Sequence, residues 1–354
     1  MKKILYVSGT YMPVFAGAEI SAHNVLKNFK KKYDVLVLTD KQYAGNGQFE
    51  GINIKTTSKD MLKKDLDSTI DEFKPDILFT QQIWSDSVLE VAKIKGIFSV
   101  LRVCSVPFYL DLSSSSKFSP SSIVAVSDFV AEYIHNNWNR DSHVINPFFD
   151  ENRLVSGKIN NFYNKYITLF NPSVKKGGTV FKEISELLPE KNFLVVEAWD
   201  QFRTKEGNFD DERIQQICNS LRIPYNGQRP VIETNFPDNV KIINPIINVR
   251  EIYADTRILC VPSQCQETFA RVSYEAFANR IPVIGSAIGG LEKNVREGGI
   301  CVDDFSNPYE WVKAINFFDD NKQYQNIALK GRKIFEKNSD NSVILKKYEK
   351  VFNL

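Results

Sequence analysis

Arg257-Ile258-Leu259-Cys260-Val261-Pro262-Ser263-Gln264-Cys265-Gln266-Glu267-Thr268-Phe269-Ala270-Arg271-Val272-Ser273-Tyr274-Glu275-Ala276 reads as a strand, a loop and a helix in succession. The apolar run ending at Val261 suits a short buried strand. Phe269, Val272 and Ala276 then repeat at the spacing of an apolar helical stripe. Glu267 is therefore expected in a loop at the mouth of a helix, with Glu275 about two turns along it. Two acids so placed can hold two hydroxyl-rich parts of one polar ligand, while the helix N-terminus offers N–H groups to an anion between them. A sugar joined to a phosphate has that shape.

Working outward, short apolar runs alternate with helical stretches twice over. Residues 4–8, 34–39, 52–56, 76–80, 98–103 and 122–127 are the first set, with a helix carrying Ala18, Ala22, Val25 and Phe29 on one face. The pattern restarts at 166–170 and continues through 192–197, 240–243, 257–261, 281–285 and 300–302. Buried runs separated by helices predict two parallel, doubly wound α/β sheets, that is, two Rossmann-like domains facing across a cleft. The expected boundaries are 1–155 and 156–338. Residues 339–354 form a terminal helix, with Val343, Leu345, Tyr348 and Val351 as its apolar positions. The charged segment 199–238 reads as an insertion with one helix at 210–221.

Ligands of such sheets sit outside the carboxyl ends of the strands. The unusual segments 9–19, 171–178, 262–267 and 286–290 all fall at such ends. Their agreement argues for a site.

With 354 residues, 43% hydrophobic and 25% charged, the chain is long enough for two cores. A net charge of +2 gives no argument for a nucleic-acid partner. Lys27-Asn28-Phe29-Lys30-Lys31-Lys32 is read as a solvated helix end, the alternative being a patch that rests on an anionic membrane. The opening Met1-Lys2-Lys3-Ile4-Leu5-Tyr6-Val7 is too short for a signal peptide and reads as a first strand. The five cysteines are scattered and are expected as buried, reduced thiols. A cytoplasmic location is expected, with peripheral contact at the membrane face as the second alternative.

The stretch from Val261 to Ala276, with Ile281-Pro282-Val283-Ile284-Gly285-Ser286-Ala287-Ile288-Gly289-Gly290-Leu291-Glu292 after it, resembles the Glu-x7-Glu region of retaining glycosyltransferases of the GT-B type, family 4 in particular. The resemblance is tight between Val261 and Glu292 and loose elsewhere. It implies transfer of a hexose-type sugar, with retention and without a metal, from a nucleotide-diphosphate sugar to a saccharide or lipid-linked acceptor. Cell-surface polysaccharide or glycoconjugate synthesis is the implied setting.

The same resemblance implies the residue roles. Glu267 contacts the donor sugar's hydroxyls, and Thr268, Phe269 and Ala270 turn backbone N–H groups toward the diphosphate. Arg271 and Val272 follow at the helix start, and Glu275 accepts from the ribose hydroxyls. Lys176, with Gly177 and Gly178, matches the phosphate-binding lysine. Gly17, in Ala16-Gly17-Ala18-Glu19, matches the Gly-Gly-x-Glu loop with its first glycine replaced. Attack is expected from the front face, so Glu267 is not a nucleophile.

Two positions depart from the family. Asn171 stands where an arginine is usual; either one cation suffices beside the backbone N–H groups, or Arg271 or Lys175 replaces it. The stretch 99–105 lacks the usual histidine, leaving Arg102 or Ser105 in its place. His23, His135 and His143 lack metal-ligand spacing and are expected to be structural. No Asp-x-Asp or Gly-x-Gly-x-x-Gly occurs in the expected places. No cofactor is expected. A nucleotide-sugar epimerase of the same fold and a catalytically degenerate nucleotide-sugar-binding protein are the alternatives.

Overall fold

The computed structural model describes residues 1–12, 16–41, 47–113, 117–197, 235–243 and 248–353. They form two compact units, Met1–Phe149 with Ser339–Leu354, and Asp150–Asn338. The helix expected at 210–221, and residues 199–234 of the insertion around it, lie outside the described residues.

In the first unit, β1 (Lys3–Ser8), β2 (Asp34–Asp40), β3 (Gly47–Phe49), β4 (Ile52–Thr57), β5 (Ile77–Gln81), β6 (Phe98–Val103), β7 (Ser122–Ala125) and β8 (His143–Val144) make one sheet. Its order is β3-β4-β2-β1-β5-β6-β7-β8. Among the described residues, only β3 pairs antiparallel, with β4. The sequence did not announce β3 or β8, because each is a short edge piece with no apolar run of its own; pairing with a longer neighbour supplies its hydrogen bonds.

Side chains of β1 alternate between two cores. Ile4 and Tyr6 face Ala22, Val25 and Phe29 of the helix Gly17–Phe29, and also the terminal helix Asn341–Val351. Leu5 and Val7 face Leu62, Leu66, Ile70 and Val88. The terminal helix buries Ile344, Tyr348 and Val351 and leaves Val343 46% exposed. Its inner face is therefore set by Ile344, one position on from the expected Val343.

The second unit carries β9 (Tyr166–Phe170), β10 (Asn192–Val196), β11 (Val240–Ile243), β12 (Thr256–Val261), β13 (Val283–Ser286) and β14 (Ile300–Val302), in the order β11-β10-β9-β12-β13-β14. Every pair is parallel. This is the doubly wound order, and its direction reverses between β9 and β12. The loops leaving those two strands therefore flank the crevice in which such a sheet holds a ligand. Positions 281 and 282 were expected in β13. Ile281 instead donates its N–H back to the Ala276 carbonyl of the preceding helix at 3.0 Å, while the Pro282 carbonyl still accepts from Leu259 of β12 at 3.0 Å.

The helix after β12 spans Arg271–Ala278, so it starts later than its apolar spacing suggested. Ala270 has φ 55°, and a left-handed residue cannot continue a right-handed helix. Phe269 thus belongs to the preceding loop, and Val272 is only half-buried; Tyr274, Ala276 and Phe277 form the inner face. Glu275 lies little more than about one turn from the helix start. Among the described residues, no helix is long and apolar enough to cross a membrane.

Candidate functional site

The loop leaving β9 turns sharply at Asn171, whose φ of 66° places it in the left-handed region that asparagine tolerates. Its N–H donates to the Val196 carbonyl at 2.8 Å, and its Oδ1 accepts from the Ser173 N–H at 3.2 Å. Asn171 therefore shapes the turn. A short 3₁₀ turn, Val174–Lys176, follows, and then Gly177 at φ 85° opens the helix Gly178–Leu187.

Gly177 is required there for two reasons. Its backbone conformation is left-handed, and a Cβ would lie 1.9 Å from the Pro262 carbonyl oxygen. The β9 loop is thereby pressed against the β12 loop. Gln264 donates its N–H to the Lys175 carbonyl at 2.8 Å and fixes the register between the two. Lys175 itself is exposed.

This contact brings together the charges that the sequence placed far apart. Lys176 Nζ lies 2.5 Å from Glu267 Oε1, and Ser263 Oγ donates to the same oxygen at 2.6 Å. Glu267 is 9% exposed, whereas the Lys176 side chain keeps 35% of its surface. The nearby Cys265 thiol is pushed up, chiefly by burial, with Lys176 pulling the other way.

The helix Gly289–Gly298, after β13, closes over the Glu267 backbone with its first turns. Gly290 donates its N–H to the Glu267 carbonyl at 2.6 Å, and a Cβ on it would meet the Thr268 carbonyl oxygen at 2.3 Å. Asn294 Nδ2 donates to the Phe269 carbonyl at 2.7 Å, and the Phe269 ring packs on Tyr274 with centroids 4.7 Å apart. Residues 267–270 are therefore clamped from both sides before the helix begins.

Glu275, 8% exposed, points its carboxylate at two partners. Tyr253 OH donates to Oε2 at 2.9 Å, and an Arg271 guanidinium nitrogen lies 3.4 Å from Oε1. The fully buried Tyr253 phenol is held well above its ordinary range, first by burial and then by the Glu275 charge, so it stays a neutral donor. Arg271 thus pairs with Glu275.

The structure accordingly gathers Lys176, Gly177 and Glu267 in one cluster, with Asn171 at the start of its loop. Thr268, Phe269 and Ala270 link that cluster to Arg271, Val272 and Glu275. Gly17 is the first residue of its helix in the first unit. Sequence reasoning missed Ser263 and Tyr253. Ser263 sat in view beside the strand exit, but nothing local marked its hydroxyl as a partner of Glu267. Tyr253, on the helix Arg250–Asp255, becomes relevant only through folding.

Arg102 turns inward in the first unit. It is 1% exposed and donates to Gln81 Oε1 at 3.0 Å and Ser21 Oγ at 2.7 Å. It therefore cannot take a histidine's place at the strand end. Ser105 stays half-buried there and donates to Gln82 Oε1 at 3.1 Å. His23 is buried, and its ring is 2.7 Å from Tyr11 OH. Of the described cysteines only Cys260 is buried; Cys104, Cys265 and Cys301 are half-buried, short of the full burial expected. Among the described residues, no group of three or more His, Cys, Asp or Glu is placed to hold a metal ion.

Comparison with known proteins bears on the family and the fold. The family described as Glycosyl transferases group 1 matches residues 176–334. Over 71 residues, the chain is 37% identical to Spore coat protein SA of Bacillus subtilis (strain 168), a match covering 20% of this chain and 19% of that protein. Sucrose-phosphate synthase (tll1590) from Thermosynechococcus elongatus superposes with a TM-score of 0.75 at 13% identity, covering 100% of this chain and 98% of the other. Anabaena Alr3699/HepE in complex with UDP and glucose gives 0.75 at 17% identity over 100% of both chains. WaaG, a glycosyltransferase involved in lipopolysaccharide biosynthesis, gives 0.68 at 12% identity, covering 98% of this chain and 99% of the other. These structural likenesses show the fold, which is GT-B.

Proposed function

We propose that this chain, whose residues 176–334 match the family described as Glycosyl transferases group 1, is a retaining glycosyltransferase that moves a hexose-type sugar from a nucleoside diphosphate to a saccharide or lipid-linked acceptor. The observation that carries the reading is the cluster of Lys176, Glu267 and Ser263 at the β9–β12 reversal. It offers one cation and one carboxylate within a single contact distance, at the place where this topology holds ligands.

In this reading the donor enters by exchanging partners. Lys176 turns from Glu267 to the diphosphate, and Glu267 accepts hydrogen bonds from the sugar hydroxyls while Ser263 keeps it oriented. Glu275, held by Tyr253 and Arg271, accepts from the ribose hydroxyls, for which a carboxylate has two oxygens side by side. The bond from the anomeric carbon to the phosphate oxygen breaks as the acceptor oxygen attacks the same face. The acceptor's proton passes to the leaving phosphate.

Charge grows on the diphosphate in that step. Lys176 and the loop N–H groups, already fixed in place by Gly177 and Gly290, meet it without a metal and with little reorganisation. The HepE complex with UDP and glucose, and WaaG's part in lipopolysaccharide synthesis, support a UDP-hexose type of donor and a cell-surface glycoconjugate product.

Calorimetry with UDP, GDP, ADP and their sugar conjugates, on wild type and Glu275→Ala, tests this. One nucleotide should bind selectively and lose affinity in the variant; silence toward all of them would refute the donor site. Product analysis follows with the donor that binds. A new glycoside supports transfer, an isomerised donor without acceptor makes the chain an epimerase, and binding without turnover makes it a degenerate binder.

A further inference from the structure

We propose that Asn279 is a positioning residue, tying the backbone of Glu275 to the segment through which the chain enters the second unit. The proposal rests on the reading above, in which Glu275 holds the nucleoside.

A helix ends with carbonyl groups that lack intrahelical partners. On the helix Arg271–Ala278 these are met by side chains and N–H groups from specific places. Asn279, 1% exposed, donates from Nδ2 to the Glu275 carbonyl at 2.8 Å and to the Leu154 carbonyl at 3.0 Å. Its Oδ1 accepts from the Ser156 N–H at 2.8 Å. Its own carbonyl accepts from Asn161 Nδ2 at 2.7 Å. One buried amide thus joins Glu275 to residues 154–161 with no polar atom of its side chain left over.

The segment that leaves the unit grips the same helix end. Arg332, on the helix Asn321–Asn338, donates to the Ala278 carbonyl at 2.7 Å and reaches Glu151 at 3.4 Å. On the first unit's side the two connections meet each other. Asn341 Nδ2 donates to the Phe149 carbonyl at 2.6 Å, and the Phe149 N–H returns a bond to Asn341 Oδ1 at 3.3 Å.

A cap that served only helix stability would need one partner. Here three of the four bonds cross to the entering segment, and the helix is short enough that its last turn carries Glu275 itself. Where residues 151–161 sit therefore fixes where the Glu275 carboxylate sits, and the reverse holds by linkage.

The test is hydrogen exchange on the full-length protein with and without the nucleoside diphosphate that binds best. Saturation should slow exchange in 151–161, the Ser156 N–H included, and Asn279→Ala should abolish that response. In steady state, Asn279→Ala and Arg332→Met should each raise the donor KM roughly tenfold with kcat within about twofold, the pattern of lost uniform binding. A purely structural role would lower the active fraction, and so apparent kcat, at unchanged KM. If wild type binds the nucleotide and 151–161 exchanges as before, the inference fails while the donor site stands. If nothing binds, the donor reading fails first and takes this one with it.

Discussion

The two sheets share a winding, yet they treat charge in opposite ways at the point where strand order reverses. In the second unit, the β9–β12 crevice presents Lys176, 35% exposed, against Glu267, with Glu275 on the helix behind. In the first unit, the ends of β1 and β5 are knit by Gly9 N–H to the Ile83 carbonyl at 3.2 Å, and the charges point inward. Arg102 is 1% and Glu19 6% exposed; Glu19 accepts from Thr10 Oγ at 2.6 Å. A similar reversal of strand order thus yields one crevice with a half-exposed cation against a carboxylate and another whose charges are turned into the interior. Fold alone does not choose between these.

The sharpest way to break this contrast is to remove one cation from each crevice. Lys176→Met should lower turnover on the order of 10²–10³-fold, as when a group stabilising developing charge is lost, with the urea midpoint unchanged. A variant that turns over normally would end the catalytic half of the comparison. Arg102→Met should instead cost about 3 kcal/mol of stability in urea denaturation, since Gln81 and Ser21 lose a charged donor in the interior. Its folded fraction should keep turnover within roughly tenfold; a stable variant would show that the inward charge holds nothing.

A smaller effect sharpens the second crevice. Tyr253→Phe removes one hydrogen bond from Glu275 and should weaken nucleoside diphosphate binding about tenfold by calorimetry, a charged acceptor having lost its buried donor. Unchanged affinity would mean that Arg271 alone orients Glu275. The smallest effect belongs to Glu19, whose carboxyl is raised above the usual carboxylate range, chiefly by burial, against the opposing hydrogen bond from Thr10 and the charge of Arg102. Below the unfolded pKa the group is protonated in both states and costs nothing. As pH rises through the folded value, the buried charge disfavours the fold. The Tm of Glu19→Gln should therefore gain on wild type as pH rises from 4 toward neutrality; a constant gap would disprove the burial effect.

Much of this was legible from the chain. Strands such as 98–103 and 166–170 fall where their apolar runs lie, because buried parallel strands must be apolar along their length. The pair Glu267 and Glu275, and Lys176 before two glycines, could be picked out from their strand exits alone. Edge strands β3 and β8 could not, since their hydrogen bonds come from neighbours distant in sequence. The late helix start at Arg271 was hidden too, because alanine at position 270 gives no sign of the left-handed conformation that packing imposes.

By itself the sequence determined the alternation of strand and helix, the two parallel sheets and the loops bearing the acids, because hydrophobic period and turn chemistry are local properties. Only tertiary structure decided which charges meet. Gly177 had to reach Pro262 before Lys176 could find Glu267, and Tyr253 had to pack under the helix before Glu275 gained its donor. Arg102, written in the same alphabet as Lys176, was drawn inward by acceptors at positions 21 and 81. Distances between residues remote in the chain are set by packing, and no local pattern encodes them.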